Sequence, residues 1–132
     1  MSDRKQKILI IDDMPDILKM LSKHLESWGY IPLTASSGEE GLKIAKSEQP
    51  DLILLDMLLP KMKGMQACSH LKTNPSTSSI PVIFLTGLTL AEYIKTGMEL
   101  GADDYVTKPF EAAQLKERIR VCLWRNKDRG SR

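Results

Sequence analysis

Hydrophobic residues follow two alternating patterns along the chain. Residues 8–11, 52–55 and 82–85 are short apolar runs that no polar residue interrupts. Such runs are typical of parallel strands that are buried on both faces. Between them, apolar residues recur every three or four positions, which is the spacing of one buried helix face. On the first predicted helix, that face consists of Ile17, Met20, Leu21, Leu25 and Trp28. The sequence therefore predicts an α/β protein in which strands and helices alternate.

Two weaker segments predict strands at the edges of the sheet. Residues 31–35 contain Pro32, which cannot donate a hydrogen bond inside a central strand. Residues 104–107 form a short run that is half polar. With these two segments outside the three apolar strands, the pattern predicts a doubly wound, five-stranded parallel sheet of order 2-1-3-4-5. This is the flavodoxin-like (βα)5 arrangement.

Composition is that of one globular domain. The 132 residues are 42% hydrophobic and 27% charged, and a net charge of +2 does not favour a nucleic-acid or membrane partner. The basic amino terminus runs into a strand and not into an apolar signal sequence. Cys68 and Cys122 form no CxxC pair and are interpreted as apolar helix residues. We expect a cytoplasmic protein, with a domain over residues 1–125 and a polar tail or linker start over 126–132.

Three carboxylates are predicted to meet at one edge of this sheet. In a sheet of this order, ligands bind beyond the carboxyl ends of the strands, where the order reverses between strands one and three. Asp12 and Asp13 follow the first strand, and Asp56 follows the third. Helix capping explains one such acid, but three acids repel one another unless a hard cation relieves the repulsion. The pattern therefore predicts a Mg²⁺ site.

A hydroxyl and a cation are predicted at the same edge. Thr86 ends the fourth strand, and Lys108 with Pro109 follows the fifth. Taken alone, Lys108 is an ordinary solvated lysine. Beside three carboxylates and a metal ion, however, the two groups can stabilise the charge on a transferred phosphoryl group. One carboxylate is then the nucleophile, and the set favours phosphoryl transfer.

Over residues 7–125 the chain resembles the receiver domains of two-component response regulators, such as the chemotaxis regulators. The likeness rests on four motifs in the family's order: ILIIDD (8–13), DLILLDMLLPKMKG (51–64), PVIFLT (81–86) and GADDYVTKPF (101–110). Each motif alone is moderately specific, whereas four at family-like spacing are highly specific.

The resemblance implies roles for the residues around the predicted nucleophile. Asp56 would accept the phosphoryl group, Lys108 would bridge to Asp56 and then to the phosphoryl oxygens, and Thr86 would swing in to hydrogen-bond one of them. Tyr105 would be the aromatic residue that turns inward behind Thr86, although an ordinary edge-strand tyrosine is the alternative. The bond between Lys108 and Pro109 is expected to be cis, which is uncommon for X–Pro bonds in general.

The resemblance also implies a ligand set for Mg²⁺, for which Mn²⁺ is an expected substitute. Asp56 and Asp13 would bind the ion directly, Asp12 through water, and Met57 through its backbone carbonyl.

Two leucines are predicted to hinder the approach of water to the site. In the family, the positions of Leu58 and Leu88, two residues after Asp56 and Thr86, flank the path of the water that attacks the phosphoryl group. Because branched apolar side chains hinder water and offer it no hydrogen bond, we predict slow self-dephosphorylation.

The implied function is a phosphorylation-dependent switch, not an enzyme with turnover. A sensor histidine kinase or phosphotransfer protein would donate the phosphoryl group, and the face of helix four, strand five and helix five would then change its affinity for a downstream protein or output domain. No direct nucleic-acid or membrane contact is expected. Apolar Tyr93 and Ile94 on helix four are compatible with a homodimer and equally with core packing. A stand-alone receiver and the amino-terminal part of a longer regulator both fit the sequence.

Three other classes of protein fit the sequence less well. A haloacid-dehalogenase-like phosphatase requires Asp-x-Asp after the first strand, where this chain has Asp12 and Asp13 adjacent. A flavodoxin-like binding module requires a phosphate loop rich in Ser, Thr and Gly at that place, where this chain has two aspartates. A degenerate receiver acting as a protein-binding module would have lost an acid, the threonine or the lysine, all of which this chain retains.

Overall fold

The computed structural model describes residues 4–130, with side chains described as far as residue 126. Within these residues, five strands alternate with five helices. The elements are β1 (Lys7–Ile11), α1 (Pro15–Ser27), β2 (Ile31–Ala35), α2 (Gly38–Glu48), β3 (Leu52–Leu55), α3 (Gly64–Thr73), β4 (Val82–Thr86), α4 (Ala91–Glu99), β5 (Asp104–Thr107) and α5 (Ala112–Gly130).

All strand pairs of the sheet are parallel, and the order is β2-β1-β3-β4-β5. The predicted fold class and strand order are therefore confirmed. Every residue of β3 and β4 is buried, whereas β2 and β5 contain partly exposed residues. This difference follows from position, since only the central strands have neighbours on both sides and helices on both faces.

The sheet separates two hydrophobic layers. Along β1, Leu9 and Ile11 point to the layer beneath α2 and α3, whereas Ile8 and Ile10 point to the layer beneath α1 and α5. This alternation is the period of two that a strand imposes on its side chains.

Most of the predicted core is buried, with one error on α1. Leu21 and Leu25 are buried, but Met20 is 37% exposed, so its assignment to the buried face was wrong. Cys68 and Cys122 are both buried thiols, as the sequence predicted, and burial raises the pKa of each to about 11.

The end of α5 lies beyond the predicted domain boundary. Its backbone is helical through Gly130, which includes most of the segment predicted as a polar tail or linker start, and residues 131–132 lie outside the described residues. The boundary at residue 125 stays a prediction. None of the helices within residues 4–130 combines the length and apolar character that a membrane span requires.

Candidate functional site

The three predicted carboxylates come together at the carboxyl ends of β1 and β3. Oxygen atoms of Asp12, Asp13 and Asp56 all lie within 4.8 Å of one another. Asp12 is 3% exposed and Asp56 is 7% exposed, whereas Asp13 is open to solvent. Convergence occurs because Ile11 and Leu55, the last residues of the two strands, are register partners. The three carboxylates therefore meet at the switch point, where the sequence predicts a metal site.

Local backbone bonds orient the two buried acids in the same way. Oδ1 of Asp12 accepts a hydrogen bond from the Met14 amide, and Oδ1 of Asp56 accepts one from the Leu58 amide, each at 3.0 Å. The Asp56 amide in turn donates to the carbonyl of Ile11 at 3.1 Å. One oxygen of each carboxylate is thereby held by its own turn, and the Oδ2 atoms face the centre of the site.

Lys108 lies between these two Oδ2 atoms. Its Nζ is 2.6 Å from Oδ2 of Asp12 and 3.2 Å from Oδ2 of Asp56. The Lys108 amide donates to the carbonyl of Thr86 at 2.8 Å, which ties the β5–α5 turn to the end of β4. The bond between Lys108 and Pro109 is cis, the isomer that the family resemblance implied.

Burial and neighbouring charges shift the pKa values of Asp12 and Lys108. Burial raises the pKa of Asp12, and the hydrogen bonds from Lys108 and the Met14 amide oppose this only in part. For Lys108, burial lowers the pKa, but the hydrogen bond to Asp12 and the charges of Asp56 and Asp12 together outweigh it, so its pKa is raised. Lys108 is therefore held as an ammonium ion. Because the site holds three carboxylates and one ammonium group, it has excess negative charge that a cation would balance.

Thr86 contributes an unusual buried hydroxyl. The residue is fully buried at the end of β4, and within the described part of the chain its Oγ1 has no hydrogen-bond partner. A buried hydroxyl is normally bonded, since leaving it unpaired costs about 1–3 kcal/mol. The orphaned atom is thus consistent with a ligand that supplies the missing acceptor.

Tyr105 is packed inward and is not simply an exposed edge-strand residue. Its hydroxyl donates to the carbonyl of Leu88 at 2.6 Å and lies 3.5 Å from Sδ of Met57. Its ring centroid is 5.9 Å from that of Phe84 on β4. Burial raises the Tyr105 pKa, and the negative charge of Asp56 adds to this. The position suits the predicted switch role, which itself stays a prediction.

The loop after β3 brings its backbone very close to α3. A Cβ on Gly64 would overlap the carbonyl oxygen of Asp56 and lie 2.6 Å from Cα of Met57, so this position requires glycine. The Gly64 amide donates to the Met57 carbonyl at 3.0 Å. One lone pair of that carbonyl is therefore already used, and its predicted metal ligation would depend on the other. Leu58 beside it is 59% exposed, and Leu88 is half-buried.

The sequence did not predict an apolar groove that borders the site. This groove has a volume of about 530 Å³ and lies between α1 and the β5–α5 turn. It is lined by Ile17, Met20, His24, Lys108, Pro109, Phe110 and Ala112. Met20 was the residue from which this groove could have been predicted, because an apolar residue on α1 that is not in the core can line a surface groove. Helical spacing alone, however, placed Met20 in the core.

The fold and the site together define a receiver domain, and comparison with known proteins identifies the family. The response regulator receiver domain family matches residues 8–120, so the chain belongs to this family and not to the phosphatases considered above. A putative response regulator from Chloroflexus aurantiacus, known from its crystal structure, has a TM-score of 0.87 and 34% identity. The match covers 91% of this chain and 98% of that one.

Curated relatives include longer regulators. The probable transcriptional regulator ycf27 of Guillardia theta is 44% identical over 93% of this chain and 47% of its own length. The alkaline phosphatase synthesis transcriptional regulatory protein PhoP of Bacillus subtilis is 43% identical over 92% of this chain and 50% of its own length. The chain thus spans about half the length of these relatives.

Proposed function

We propose that Asp56 is the phosphoryl acceptor of a signalling switch whose donor is the phosphohistidine of a sensor histidine kinase or phosphotransfer protein. The observation that carries the proposal is Lys108, whose Nζ is paired with Asp56 and Asp12 and whose amide donates to the carbonyl of Thr86, the residue with the orphaned hydroxyl. A phosphoryl group on Asp56 would accept hydrogen bonds from both Thr86 and Lys108, which supports the roles that the family resemblance implies.

In the proposed step, a carboxylate oxygen of Asp56 attacks the phosphorus atom of the phosphohistidine. The O–P bond forms as the P–N bond breaks, and the imidazole nitrogen leaves with the electron pair and takes a proton from solvent. Lys108 stabilises the negative charge on the transferred oxygens. Water later hydrolyses the acyl phosphate. In this proposal the chain assists both its own phosphorylation and its own slow dephosphorylation, and it turns over no separate substrate.

The acidic cluster fits Mg²⁺, because its donors are closely spaced carboxylate oxygens and the exposed Asp13 leaves room for water ligands. Asp13 and Asp56 would hold the ion directly. Asp12 would act through water, since its Oδ2 is already 2.6 Å from Lys108, and the free lone pair of the Met57 carbonyl is the proposed backbone ligand. When bound, Mg²⁺ would neutralise charge on the transferring group, and Mn²⁺ is expected to substitute.

The proposed output is a change in the face formed by α4, β5 and α5. Once a phosphoryl group is present, Thr86 would be drawn toward it, and the inward state of Tyr105 would be favoured. A preference of a few kcal/mol for one state is enough to shift the population. The receiving partner would be a downstream protein, an output domain of the kind that the longer transcriptional regulators contain, or a second copy meeting through Tyr93 and Ile94.

The apolar groove between α1 and the β5–α5 turn is the surface that we propose for the phosphodonor. Lys108 lines the groove and also contacts Asp56, so a partner in the groove would lie next to the acceptor. Its apolar lining, including the exposed Met20, suits a helical surface that presents a histidine. We propose that this phosphoryl transfer takes place in the cytoplasm.

The experiment that tests the proposal is intact-mass measurement after incubation with Mg²⁺ and acetyl phosphate. We expect one added phosphoryl group on the native chain and none on Asp56→Asn. Asp16→Asn is the matched control, because Asp16 is an exposed acid in the first turn of α1, and it should label like the native chain. No labelling of a folded native chain, either by acetyl phosphate or by a panel of phosphorylated histidine kinases, would contradict the proposal.

A further inference from the structure

The side chain of Met57 connects the acceptor to two elements outside the site. Met57 directly follows Asp56 and is fully buried. Its Sδ lies 3.5 Å from the hydroxyl of Tyr105. Its Cε lies 3.0 Å from where a Cβ would be on Gly97, near the carboxyl end of α4. One unbranched side chain therefore contacts both β5 and α4 from the loop that carries the acceptor.

The absence of a side chain at Gly97 makes this contact possible. A Cβ there would lie 3.0 Å from both Met57 and the ring of Phe84, closer than side chains normally pack. The backbone of α4 therefore rests directly on Met57 and Phe84, and Phe84 in turn packs on Tyr105. We refer to Met57, Phe84, Gly97 and Tyr105 as the Met57 cluster.

We propose that Met57 is a positioning residue that transmits a change at Asp56 to α4 and Tyr105, by a route separate from Thr86. The inference rests on the proposed function, since it concerns the response to a group on Asp56. The Met57 backbone is held by the Gly64 amide next to the acceptor. Because Met57 is bonded directly to the Asp56 carbonyl carbon, a shift of the Asp56 peptide toward a bound group moves the base of the Met57 side chain, whose tip is packed against β5 and α4.

The alternative is that Met57 only fills the core. A leucine of similar volume would then serve equally well, because volume-conserving substitutions are usually tolerated. If Met57 transmits the change, however, leucine fails, since its side chain is shorter and branched and cannot reach both Tyr105 and Gly97. The two interpretations thus differ in what Met57→Leu does to the response, and not in whether the protein folds.

The experiment uses fluorine NMR of the chain labelled with 3-fluorotyrosine, with beryllium fluoride and Mg²⁺ as the probe. The three tyrosines report on separate places: Tyr93 on α4, Tyr105 on β5, and Tyr30, which packs in the hydrophobic layer on the other side of the sheet, as a reference. In the native chain, the probe should shift the signals of Tyr93 and Tyr105. In Met57→Leu, we expect both shifts, measured at saturating probe, to fall to less than half of the native shifts.

Two further variants separate transmission from core filling. Met65→Leu is the matched control, because Met65 packs against the same hydrophobic layer from α3, and it should respond fully. Gly97→Ala combined with Met57→Leu should regain part of the response, since the new methyl group replaces the lost contact, and the two substitutions should be non-additive.

The outcomes distinguish the inference from the function on which it rests. If Met57→Leu responds like the native chain at saturating probe, or if Thr86→Val loses the whole response although the probe saturates it, the inference is wrong and the proposed function stands. If the native chain neither binds beryllium fluoride nor accepts a phosphoryl group, the proposed function fails, and the inference fails with it.

Discussion

Lys108 lies closer to Asp12 than to the proposed acceptor Asp56. The distances from its Nζ are 2.6 Å to Oδ2 of Asp12 and 3.2 Å to Oδ2 of Asp56. Because one ammonium group is shared between two buried carboxylates, Lys108 partly neutralises the same charge that a metal ion would bind. The lysine and the cation are therefore expected to oppose each other in binding, even though both favour phosphoryl transfer.

Replacing Lys108 with methionine should separate these two effects. Removal of the positive charge should strengthen Mg²⁺ binding several-fold, measured by calorimetric titration. It should also slow labelling by acetyl phosphate on the order of 10²-fold, since the transferred oxygens lose a charged donor. Lys19→Met, at an exposed position on α1, should change neither quantity. Weaker Mg²⁺ binding by Lys108→Met would contradict the shared-charge interpretation.

Removing the orphaned hydroxyl of Thr86 should weaken ligand binding without lowering the free energy of unfolding. Thr86→Val removes a buried group that has no partner among the described residues, so the free energy of unfolding should stay the same or rise by about 1 kcal/mol. Affinity for beryllium fluoride with Mg²⁺ should fall about tenfold, because one hydrogen bond of about 1.5 kcal/mol to a charged group is lost.

Thr77 provides the matched comparison for Thr86. It is equally buried, but its hydroxyl donates to the carbonyl of Leu71 at 2.7 Å. Thr77→Val should therefore lower the free energy of unfolding by about 1–3 kcal/mol, measured by urea denaturation, and leave beryllium fluoride binding unchanged. Equal losses of stability in the two variants would argue against an unpaired Thr86.

Gly64 and Gly87 should respond to alanine in opposite directions. At Gly64, the added Cβ meets the backbone of Asp56 and Met57, so the free energy of unfolding should fall by roughly 1–3 kcal/mol or more, and labelling of Asp56 should slow. At Gly87, no atom of the described residues other than its chain neighbours lies within 4 Å of the added Cβ, and φ is outside the left-handed region. Gly87→Ala should therefore stabilise the chain by about 0.4–1 kcal/mol. A neutral Gly64→Ala would show that the acceptor loop can move away.

The two leucines beside the site predict a long-lived acyl phosphate. Leu58 and Leu88 cannot orient an attacking water, so the phosphoryl group on the native chain should persist for minutes or longer by intact-mass decay. Leu58→Asn should shorten this lifetime several-fold because its amide can hydrogen-bond water. Leu90→Asn is the control, since Leu90 is an equally exposed leucine at the start of α4, and it should leave the lifetime unchanged. A native lifetime of only seconds would refute the prediction.

Much of the fold was predictable because it depends on how apolar residues are spaced along single strands and helices. The unbroken apolar runs of β1, β3 and β4 identified the central strands, and Pro32 identified β2 as an edge strand. The meeting of Asp12 with Asp56 was predictable for a similar reason. Once the strand order is known, residues that follow neighbouring parallel strands must lie at the same edge of the sheet.

Spacing along the chain was thus enough to predict the strand order, the central strands and the acidic edge. Three contacts could be seen only in the folded protein: Lys108 lies nearer Asp12, Tyr105 bonds to the carbonyl of Leu88, and Met57 reaches Gly97. The same is true of the exposure of Met20, which shares a helix face with buried residues. These features depend on ångström-scale distances between separate elements, which are set by packing and leave no trace in a local sequence pattern.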